Sequence, residues 1–223
     1  MPTKIEWAEE IWNPVTGCSP VSEGCQNCYA KRMANRLRGR YGYPEDKPFK
    51  VTSHPDRLDQ PLKWKKPRRI FVCSMGDLFH KDVPFSFICD VFARILLETR
   101  HTFLILTKRP ERMKEFFDTL LVKKLPLPNV WLGVTAENQD QADLRIPILL
   151  EIPAKVRFVS VEPMLTVMDL EKYLMSCEDC GNQGSIPLDN KPGNSLGRLC
   201  LDACIKRGEP NSLDWVICGA ESG

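Results

Sequence analysis

Three cysteines near the start of the chain have the residue type and the spacing of metal ligands. Cys18, Cys25 and Cys28 fall within eleven residues, and the Pro and Gly of the stretch 19–24 predict a loop. The pattern after them predicts a helix over residues 30–40. A structural metal centre normally takes four protein ligands, and this stretch offers no fourth Cys or His. The loop therefore predicts either an iron–sulfur cluster with one open iron or a zinc ion completed by a distant residue.

A second group of cysteines has the paired spacing of a structural zinc site. Cys177 and Cys180 form one pair, Cys200 and Cys204 form the other, and nineteen residues rich in Gly, Pro and Asn separate the pairs. Four thiolates close a coordination shell, which predicts a structural or electron-relay role. We favour zinc over an auxiliary cluster, and unliganded thiols are the remaining alternative.

Composition indicates a cytoplasmic protein that can bury a full core. The chain has 223 residues, of which 43% are hydrophobic, and no apolar run reaches the length of a membrane span. The N-terminus lacks the pattern of a signal peptide. In a cytosolic chain, clustered cysteines indicate metal sites, whereas the isolated Cys73, Cys89 and Cys218 are predicted to be small buried residues.

Charge is unevenly distributed along the chain. Residues 1–69 contain fourteen Lys or Arg and eight Asp or Glu, so this third carries +6 while the remainder carries −4. The densest run spans residues 63–69, and Arg36, Arg38 and Arg40 precede it. Basic runs that include an aromatic residue can follow a phosphate backbone, although a solvated face is the ordinary alternative. Nucleic acid is therefore a possible partner.

Apolar segments alternate with helical patterns through the rest of the chain. The apolar segments are residues 69–77, 102–108, 130–137, 156–162 and 215–221, and the helical patterns are residues 85–100, 111–121 and 139–150. Such alternation is typical of parallel sheets covered by helices. With a short strand within residues 11–16, six β units predict an α/β fold, a partial TIM-type (βα)6 barrel with parallel strands. An open doubly wound sheet is the alternative.

Polar residues end each of the predicted strands. They are Ser74 and Asp77, Lys108, Thr135 with Glu137, Glu162, and Glu221 with Ser222. In barrels of this kind the active site gathers at the carboxyl ends of the strands, where the three-cysteine loop is also expected. Solvation of loop starts would explain any one of these residues, but less easily all of them.

Several motifs together resemble the phage-type branch of radical SAM-like proteins, a branch that is largely uncharacterised. The motifs are the sequences at residues 12–18, 54–62, 74–80, 106–110, 131–134 and 219–223. The resemblance spans the chain except residues 166–213. The usual loop of the superfamily has three residues between its first two cysteines and an aromatic residue before the third, whereas this chain has six residues and Asn27, with Tyr29 following.

The resemblance implies a 4Fe–4S cluster on Cys18, Cys25 and Cys28, with S-adenosylmethionine on the fourth iron. It further implies Ser74 and Asp77 at the methionyl amino group. Thr135 and Glu137 would lie at the ribose, and Lys108 at the methionyl carboxylate or a substrate anion. Glu162 and Glu221 are also expected to bind the cofactor, and His80 has a role in the site or in a buried hydrogen bond.

The resemblance implies a radical reaction on a substrate that the sequence does not name. A donor such as flavodoxin or ferredoxin would supply one electron, the sulfonium carbon–sulfur bond would break, and the resulting radical would abstract hydrogen from a nucleotide, a nucleic acid or another molecule. The alternative is a non-enzymatic zinc-containing nucleic-acid-binding module of a phage or prophage.

The expected organisation is a barrel over residues 1–165, a cysteine-rich insertion over residues 166–213, and a last strand over residues 214–223. Each earlier strand is followed by a helix, but this one is followed by two residues only. We therefore expect a truncated last unit whose edge is covered by a partner chain or a dimer contact.

Overall fold

Six parallel strands form the central sheet of the computed structural model, which describes residues 5–119, 126–174 and 212–218. The strands are β1 (Glu10–Trp12), β4 (Arg69–Val72), β5 (Thr102–Thr107), β6 (Val130–Thr135), β7 (Val156–Val161) and β8 (Trp215–Cys218). They lie side by side in chain order, with β1 and β8 at the edges. Chain order without a reversal differs from a doubly wound sheet, whose strand order reverses. The fold is therefore α/β with a parallel sheet, as the alternation predicts.

A separate pair of short strands braces the segment that leads to the cysteines. β2 (Val15–Thr16) pairs antiparallel with β3 (Thr52–Ser53). The sequence predicts one short strand within residues 11–16, whereas the structure divides it between the main sheet and this pair. The division arises because Asn13 and Pro14 interrupt the ladder, since proline cannot donate a backbone hydrogen bond.

Four α-helices connect the strands: α1 (Tyr29–Arg36), α2 (Phe85–Leu97), α3 (Pro110–Thr119) and α4 (Gln139–Leu150). The last three match their predicted positions to within a few residues. α1 is shorter than predicted, because Gly39, Tyr41 and Gly42 all adopt positive φ and end the helical path. Among the described residues, no helix is both long and apolar enough to cross a bilayer.

The two faces of the sheet differ in what covers them. On one face Phe103, Ile105, Val134 and Val159 pack with the apolar faces of α2, α3 and α4 in the main core. On the other face Leu104 and Phe158 form a smaller aromatic cluster with Trp7, Trp131 and Trp215. The two sets alternate along each strand, as the two-residue repeat of a strand requires. Fully apolar strands thus result from burial on both faces.

The sheet is strongly curved around Trp7. The ring of Trp7 lies 4.6 Å from that of Phe71 on β4 and 6.4 Å from that of Trp215 on β8. In a flat sheet, four strand spacings of about 4.8 Å would separate those strands by about 19 Å. The two rings lie within about 11 Å of each other, the sum of the two distances from Trp7. The face that carries Trp7 is therefore concave.

Residues 174 and 213 meet beside the amino end of β8. Leu174 and Leu213 form a parallel bridge, and the Leu213 amide donates to the Tyr173 carbonyl at 2.8 Å. The second cysteine group, Cys177, Cys180, Cys200 and Cys204, lies outside the described residues, and so does Glu221. The predicted zinc site therefore stays a prediction.

Candidate functional site

A cavity of about 430 Å³ opens on the concave face at the carboxyl ends of the strands. Its volume falls within the range of about 300–1,000 Å³ that is typical of small-molecule sites. Trp7 and Phe71 contribute apolar lining, and Ser160 contributes a polar wall. Cys18, Cys25 and Cys28 line the same cavity, and none of them is in a disulfide.

The loop that carries Cys18 is fixed by backbone contacts that only glycine permits. Gly17 has φ +83°, and a Cβ atom there would lie 2.2 Å from the Lys50 carbonyl oxygen. Its amide donates to the Met75 carbonyl at 2.9 Å, which ties the loop to the end of β4. The Asn13 side chain accepts from the Met75 amide at 3.0 Å. Residues 12–17 and 74–77 therefore form one unit.

Arg109 connects Cys18 to Asp77. Its Nη1 atom lies 3.3 Å from the Cys18 sulfur and 2.8 Å from Asp77 Oδ2. Its Nη2 atom donates to the Ser19 carbonyl at 2.8 Å. The guanidinium thus binds the cysteine loop to the carboxyl end of β5, with two of its donors on the loop and one on a buried carboxylate.

Lys108 makes the corresponding connection to Cys25. Its Nζ atom lies 3.9 Å from the Cys25 sulfur and 3.5 Å from Glu137 Oε2. Glu137 is fully buried, and its Oε2 atom also accepts from Arg145 at 2.8 Å. Consecutive basic residues at the end of β5 therefore each place a cation between a cysteine sulfur and a buried carboxylate. Such pairs favour negative charge on the sulfurs.

Cys28 stands at the N-terminus of α1, where it is the N-cap residue. The unpaired amides of the first helical turn give this end a partial positive charge that favours an anionic ligand. All three sulfurs thus have positive groups beside them, two from consecutive residues after β5 and one from the start of α1. These positive groups would offset part of the negative charge of a metal centre bound by the three thiolates.

The thiols of Cys18 and Cys25 differ in acidity. Burial raises the pKa of Cys18 to about 11, and the Asp77 carboxylate adds to that rise, while Arg109 opposes it. Burial also raises the pKa of Cys25, but hydrogen bonds from the Val21 and Ser22 backbone and the charge of Lys108 outweigh it and lower the pKa overall. Cys25 therefore ionises more readily.

Asp77 is buried and already fully engaged by the protein. Thr107 Oγ1 donates to both of its oxygens at 2.8 and 3.0 Å, and the Phe79 amide donates to Oδ1 at 2.9 Å. The Thr107 hydroxyl is thus shared between the two oxygens, and Oδ2 also accepts from Arg109 at 2.8 Å and from the Lys108 amide at 3.4 Å. A methionyl ammonium would have to compete with these donors, so the predicted role of Asp77 as its partner stays a prediction.

Five of the seven predicted cofactor-binding residues line the cavity. They are Ser74, Asp77, Lys108, Thr135 and Glu162. Glu137 lies behind Lys108 without reaching the cavity surface. Glu162 stands at the lip of the cavity, where burial raises the pKa of its carboxyl, the Ser160 hydroxyl opposes the shift, and Glu6 adds to it.

Three residues of the site have no assigned role in the sequence prediction. Arg109 lies in the motif at residues 106–110. Its position directly after a predicted strand could have identified it as a candidate site residue. The Tyr29 hydroxyl donates to the Ser74 carbonyl, and burial raises its pKa to about 12. The Ser19 hydroxyl and Nε2 of the buried His80 are hydrogen-bonded at 2.7 Å. His80 therefore helps to hold the cysteine loop. These side chains contact partners that lie 45 to 90 positions away in the sequence. A local sequence pattern cannot predict such contacts.

The isolated cysteines do not all behave as predicted. Cys73 is buried, and desolvation raises the pKa of its thiol. Cys89 and Cys218 are exposed, so their predicted burial is wrong. Cys89 lies on the outer side of α2 and Cys218 ends the edge strand β8, and an apolar sequence neighbourhood does not reveal either position.

Within residues 5–119, 126–174 and 212–218, no three His, Cys, Asp or Glu side chains are arranged to hold a single metal ion. In a cubane cluster each cysteine binds a different iron, so the three sulfurs must surround a shared volume instead of meeting at one point. The chemistry of the donor set fits that requirement, because three free cysteines with adjacent cations line one cavity.

One family model matches the chain over residues 2–223, and its description is "Protein of unknown function (DUF5131)". No curated protein and no solved structure matches. The matching family is not a radical SAM family, so the identification of the chain as a phage-type radical SAM-like protein is wrong. The reason is that a cysteine loop and polar strand ends recur on many folds and do not define a family.

Proposed function

Because the chain belongs to the DUF5131 family, whose function is unknown, we propose its activity from the cavity itself. We infer that it is an enzyme that holds a 4Fe–4S cluster on Cys18, Cys25 and Cys28 and binds S-adenosylmethionine beside it. The observation that carries this proposal is the set of three free cysteines around one cavity, two of them contacted by the cations Lys108 and Arg109.

Cluster and S-adenosylmethionine together would supply one-electron cleavage of the sulfonium carbon–sulfur bond and hydrogen abstraction from a substrate. The chain's own residues would prepare that chemistry. Lys108 and Arg109 offset the negative charge of the thiolates and hold the loop against the sheet. Trp7 and Phe71 supply the apolar part of the cavity wall, which limits the access of water.

The cofactor's polar groups would meet the residues at the strand ends. Glu162 is the carboxylate we assign to the methionyl ammonium, because it reaches the cavity and Asp77 is occupied by protein donors. Thr135 and Ser74 offer hydroxyl groups from neighbouring walls. Lys108 is available to a carboxylate through the same ammonium that contacts Glu137.

We further propose that the sheet is part of a partial (βα)6 barrel. Three observations support this proposal. The strands follow chain order, the described helices α2 to α4 pack on one face, and Trp7 contacts rings of strands that lie four positions apart. Placement of the cavity at the carboxyl ends of the strands also agrees with the usual location of active sites in barrels.

Anaerobic reconstitution with iron and sulfide tests the proposal. We expect a brown protein with about four irons on the first cysteine group, reducible by dithionite or a flavodoxin, whose electron paramagnetic resonance spectrum changes when S-adenosylmethionine is added. Formation of 5′-deoxyadenosine would report cleavage. The triple variant Cys18→Ala/Cys25→Ala/Cys28→Ala should lose both signals, while Cys89→Ala, on the exposed side of α2, should keep them.

The triple variant separates the first cysteine group from Cys177, Cys180, Cys200 and Cys204, which remain intact in it. A colourless wild-type protein that binds zinc alone would contradict the proposal and favour the alternative of a zinc-containing binding module. A spectrum that S-adenosylmethionine changes equally in the triple variant would assign the cofactor to another part of the chain.

A further inference from the structure

The five cations of residues 24–44 form a positive surface beside the cavity. This segment contains Lys31, Arg32, Arg36, Arg38 and Arg40 and no Asp or Glu. All five side chains are exposed. Within the part of the chain that the structure describes, none of them forms an ion pair. We call this segment the α1 rim.

The buried face of α1 explains the helix but not its charge. Ala30 and Ala34 are buried with Tyr43 and Met75 in a small apolar cluster, against which Leu37 also packs. Arg40 donates to the Arg36 carbonyl at 2.6 Å, which satisfies a carbonyl at the end of the helix. The packing of the buried face does not require Lys31, Arg32 or Arg38 to be basic.

One stripe of α1 leads away from the mouth of the cavity. Tyr29, Arg32, Met33 and Arg36 follow the i, i+3, i+4, i+7 spacing that places side chains on one face of a helix. Tyr29 and Arg32 line the cavity. Eight residues give α1 a length of about 12 Å at about 1.5 Å per residue. The rim therefore extends from the cavity as a track on which Arg32 and Arg36 lie one helical turn apart.

Exposed aromatic and apolar side chains lie among these cations. Tyr41 is 74% exposed, and Tyr29 is 50% exposed although its hydroxyl end is buried against the Ser74 carbonyl. Tyr41 also has φ +52°, a conformation that is unfavourable for a bulky residue, and Arg57 holds it through a hydrogen bond to its carbonyl. Packing does not explain why the backbone of Tyr41 is strained, because its ring faces solvent. Strained residues of this kind often lie at binding sites.

We propose that the α1 rim binds the backbone and bases of a single-stranded nucleic acid, one nucleotide of which enters the cavity as the substrate. This inference rests on the proposed function for its reacting site. Four of the five cations are arginines. The planar guanidinium group of arginine can bind phosphate and can also stack on bases. Tyrosine rings among cations are the other part of a single-strand platform. An acidic peptide would use the charge but not the exposed rings.

A single strand fits the cavity better than a duplex does. A base must leave its stack before it can enter a pocket enclosed by the cysteine loop and the strand ends, and that step is least costly in unpaired nucleic acid. DNA and RNA share the phosphates and the stacking faces on which the proposal depends.

The structure also separates the rim from the other basic run of the chain. Lys63, Lys65, Lys66 and Arg69 precede or begin β4, which places them at the amino end of the sheet, and none of them lines the cavity. Arg68 in this run lies 4.0 Å from Glu9. The density of charge in the sequence favours residues 63–69 as a nucleic-acid surface. Position in the structure favours the α1 rim, because the rim lies at the cavity. The run therefore provides a control with matched charge.

Fluorescence anisotropy with the full chain tests the proposal. The probes are a labelled 20-nucleotide DNA strand, the RNA of the same sequence and the corresponding DNA duplex, each titrated from 50 to 200 mM salt. We expect both single strands to bind more tightly than the duplex. Arg32→Gln/Arg36→Gln should weaken single-strand binding about tenfold or more and reduce the salt slope by about 1.4, because each phosphate contact contributes about 0.7.

Lys65→Gln/Lys66→Gln removes the same charge at the far end of the sheet and should change affinity less than twofold. Tyr41→Ala should weaken binding roughly tenfold with an unchanged salt slope, because it removes stacking and no charge. A difference between the DNA and RNA arms would identify the natural strand. All of these variants alter exposed side chains, so circular dichroism should match the wild type.

Equal losses in the two charge variants would overturn the proposal, and so would a duplex that binds as tightly as either strand. Polyglutamate that competes as well as an oligonucleotide would assign the rim to an acidic peptide and also overturn it. Because binding is measured without a cluster, the outcomes stay separable. Strand binding without cluster loading would contradict the proposed enzyme alone, and cluster loading without strand binding would contradict the rim alone.

Discussion

At the scale of single residues, Cys25 and Cys18 are expected to ionise over different pH ranges. The pKa of Cys25 is lowered below its ordinary value of 9.0, whereas that of Cys18 is raised to about 11. Only the thiolate reacts with iodoacetamide. In the metal-free chain, alkylation of Cys25 should therefore increase below pH 9, and alkylation of Cys18 should increase only towards pH 11, as followed by peptide mapping.

The control for this prediction is Lys108→Gln. It removes the cation that lies 3.9 Å from the Cys25 sulfur, so the alkylation curve of Cys25 should move to higher pH. The curve of Cys18 should stay in place, because Arg109 and Asp77 are its charged neighbours. Faster labelling of Cys18 than of Cys25 in the wild type at pH 8 would contradict the electrostatic description of the site.

Glu162 and Asp77 are both carboxylates of the cavity, but we expect different results when each is neutralised. Glu162→Gln should weaken S-adenosylmethionine binding by about 1.5–3 kcal/mol, the scale of a charged hydrogen bond, with the iron content unchanged. Asp77→Asn should reduce iron loading. Asp77 lies 2.8 Å from the Arg109 guanidinium and positions it, and that guanidinium contacts Cys18.

Calorimetry and iron analysis on the same preparations separate these two roles. If Asp77→Asn keeps its full iron content and loses S-adenosylmethionine binding, Asp77 is the ammonium partner that the sequence predicts. Unchanged binding in Glu162→Gln would remove Glu162 from that role.

At the scale of elements, the cysteine loop depends on the conformation of Gly17. Alanine there would need φ near +83° and would place its Cβ 2.2 Å from a backbone oxygen that cannot move alone. We expect Gly17→Ala to destabilise the chain by more than about 2 kcal/mol, since the left-handed conformation alone costs about 1–2 kcal/mol. Iron loading should decrease as well, because Cys18 follows directly.

Gly39 provides the matched control for that substitution. It also has a positive φ, +68°, but a Cβ atom there would meet nothing closer than 3.9 Å. Gly39→Ala should therefore cost about 1–2 kcal/mol for conformation alone and leave iron loading intact. Urea unfolding and iron analysis measure both effects. Equal destabilisation by the two substitutions would show that the Lys50 contact does not constrain the loop.

At the scale of the whole molecule, Trp7 connects distant parts of the sheet. Its ring contacts Phe71 on β4 and both Phe158 and Trp215 on β7 and β8. Trp7→Ala should lower the free energy of unfolding by about 3 kcal/mol, near the lower bound for loss of a large aromatic residue, because Trp7 is only partly buried.

Trp7→Phe should recover much of this stability, since a smaller ring still reaches the aromatic cluster. The cavity should be affected along with stability, because Trp7 is part of its lining. Urea midpoints give the stability, and S-adenosylmethionine affinity of the reconstituted protein gives the effect on the cavity. A variant with wild-type stability would show that the curvature of the sheet does not depend on this ring.

Local patterns in the sequence are sufficient for strands β4 to β8 and for helices α2 to α4. Three predicted segments form the expected elements almost unchanged: residues 102–108 form β5, residues 156–162 form β7 and residues 139–150 form α4. A strand buried on both faces is apolar throughout, whereas a helix buried on one face has apolar residues at helical spacing. The cysteine loop and the polar strand ends are also readable, since each is a short stretch of chain.

Tertiary structure alone decides which of those residues meet. It places Arg109 on Cys18, buries Glu137 behind Lys108 and occupies Asp77 with protein donors, because contacts between residues 29 or more apart in sequence depend on how the sheet curves. It also puts the sparser basic segment at the cavity and the denser run at the far end of the sheet. Charge density is a property of the sequence, but proximity to a site follows from the packing of strands and helices.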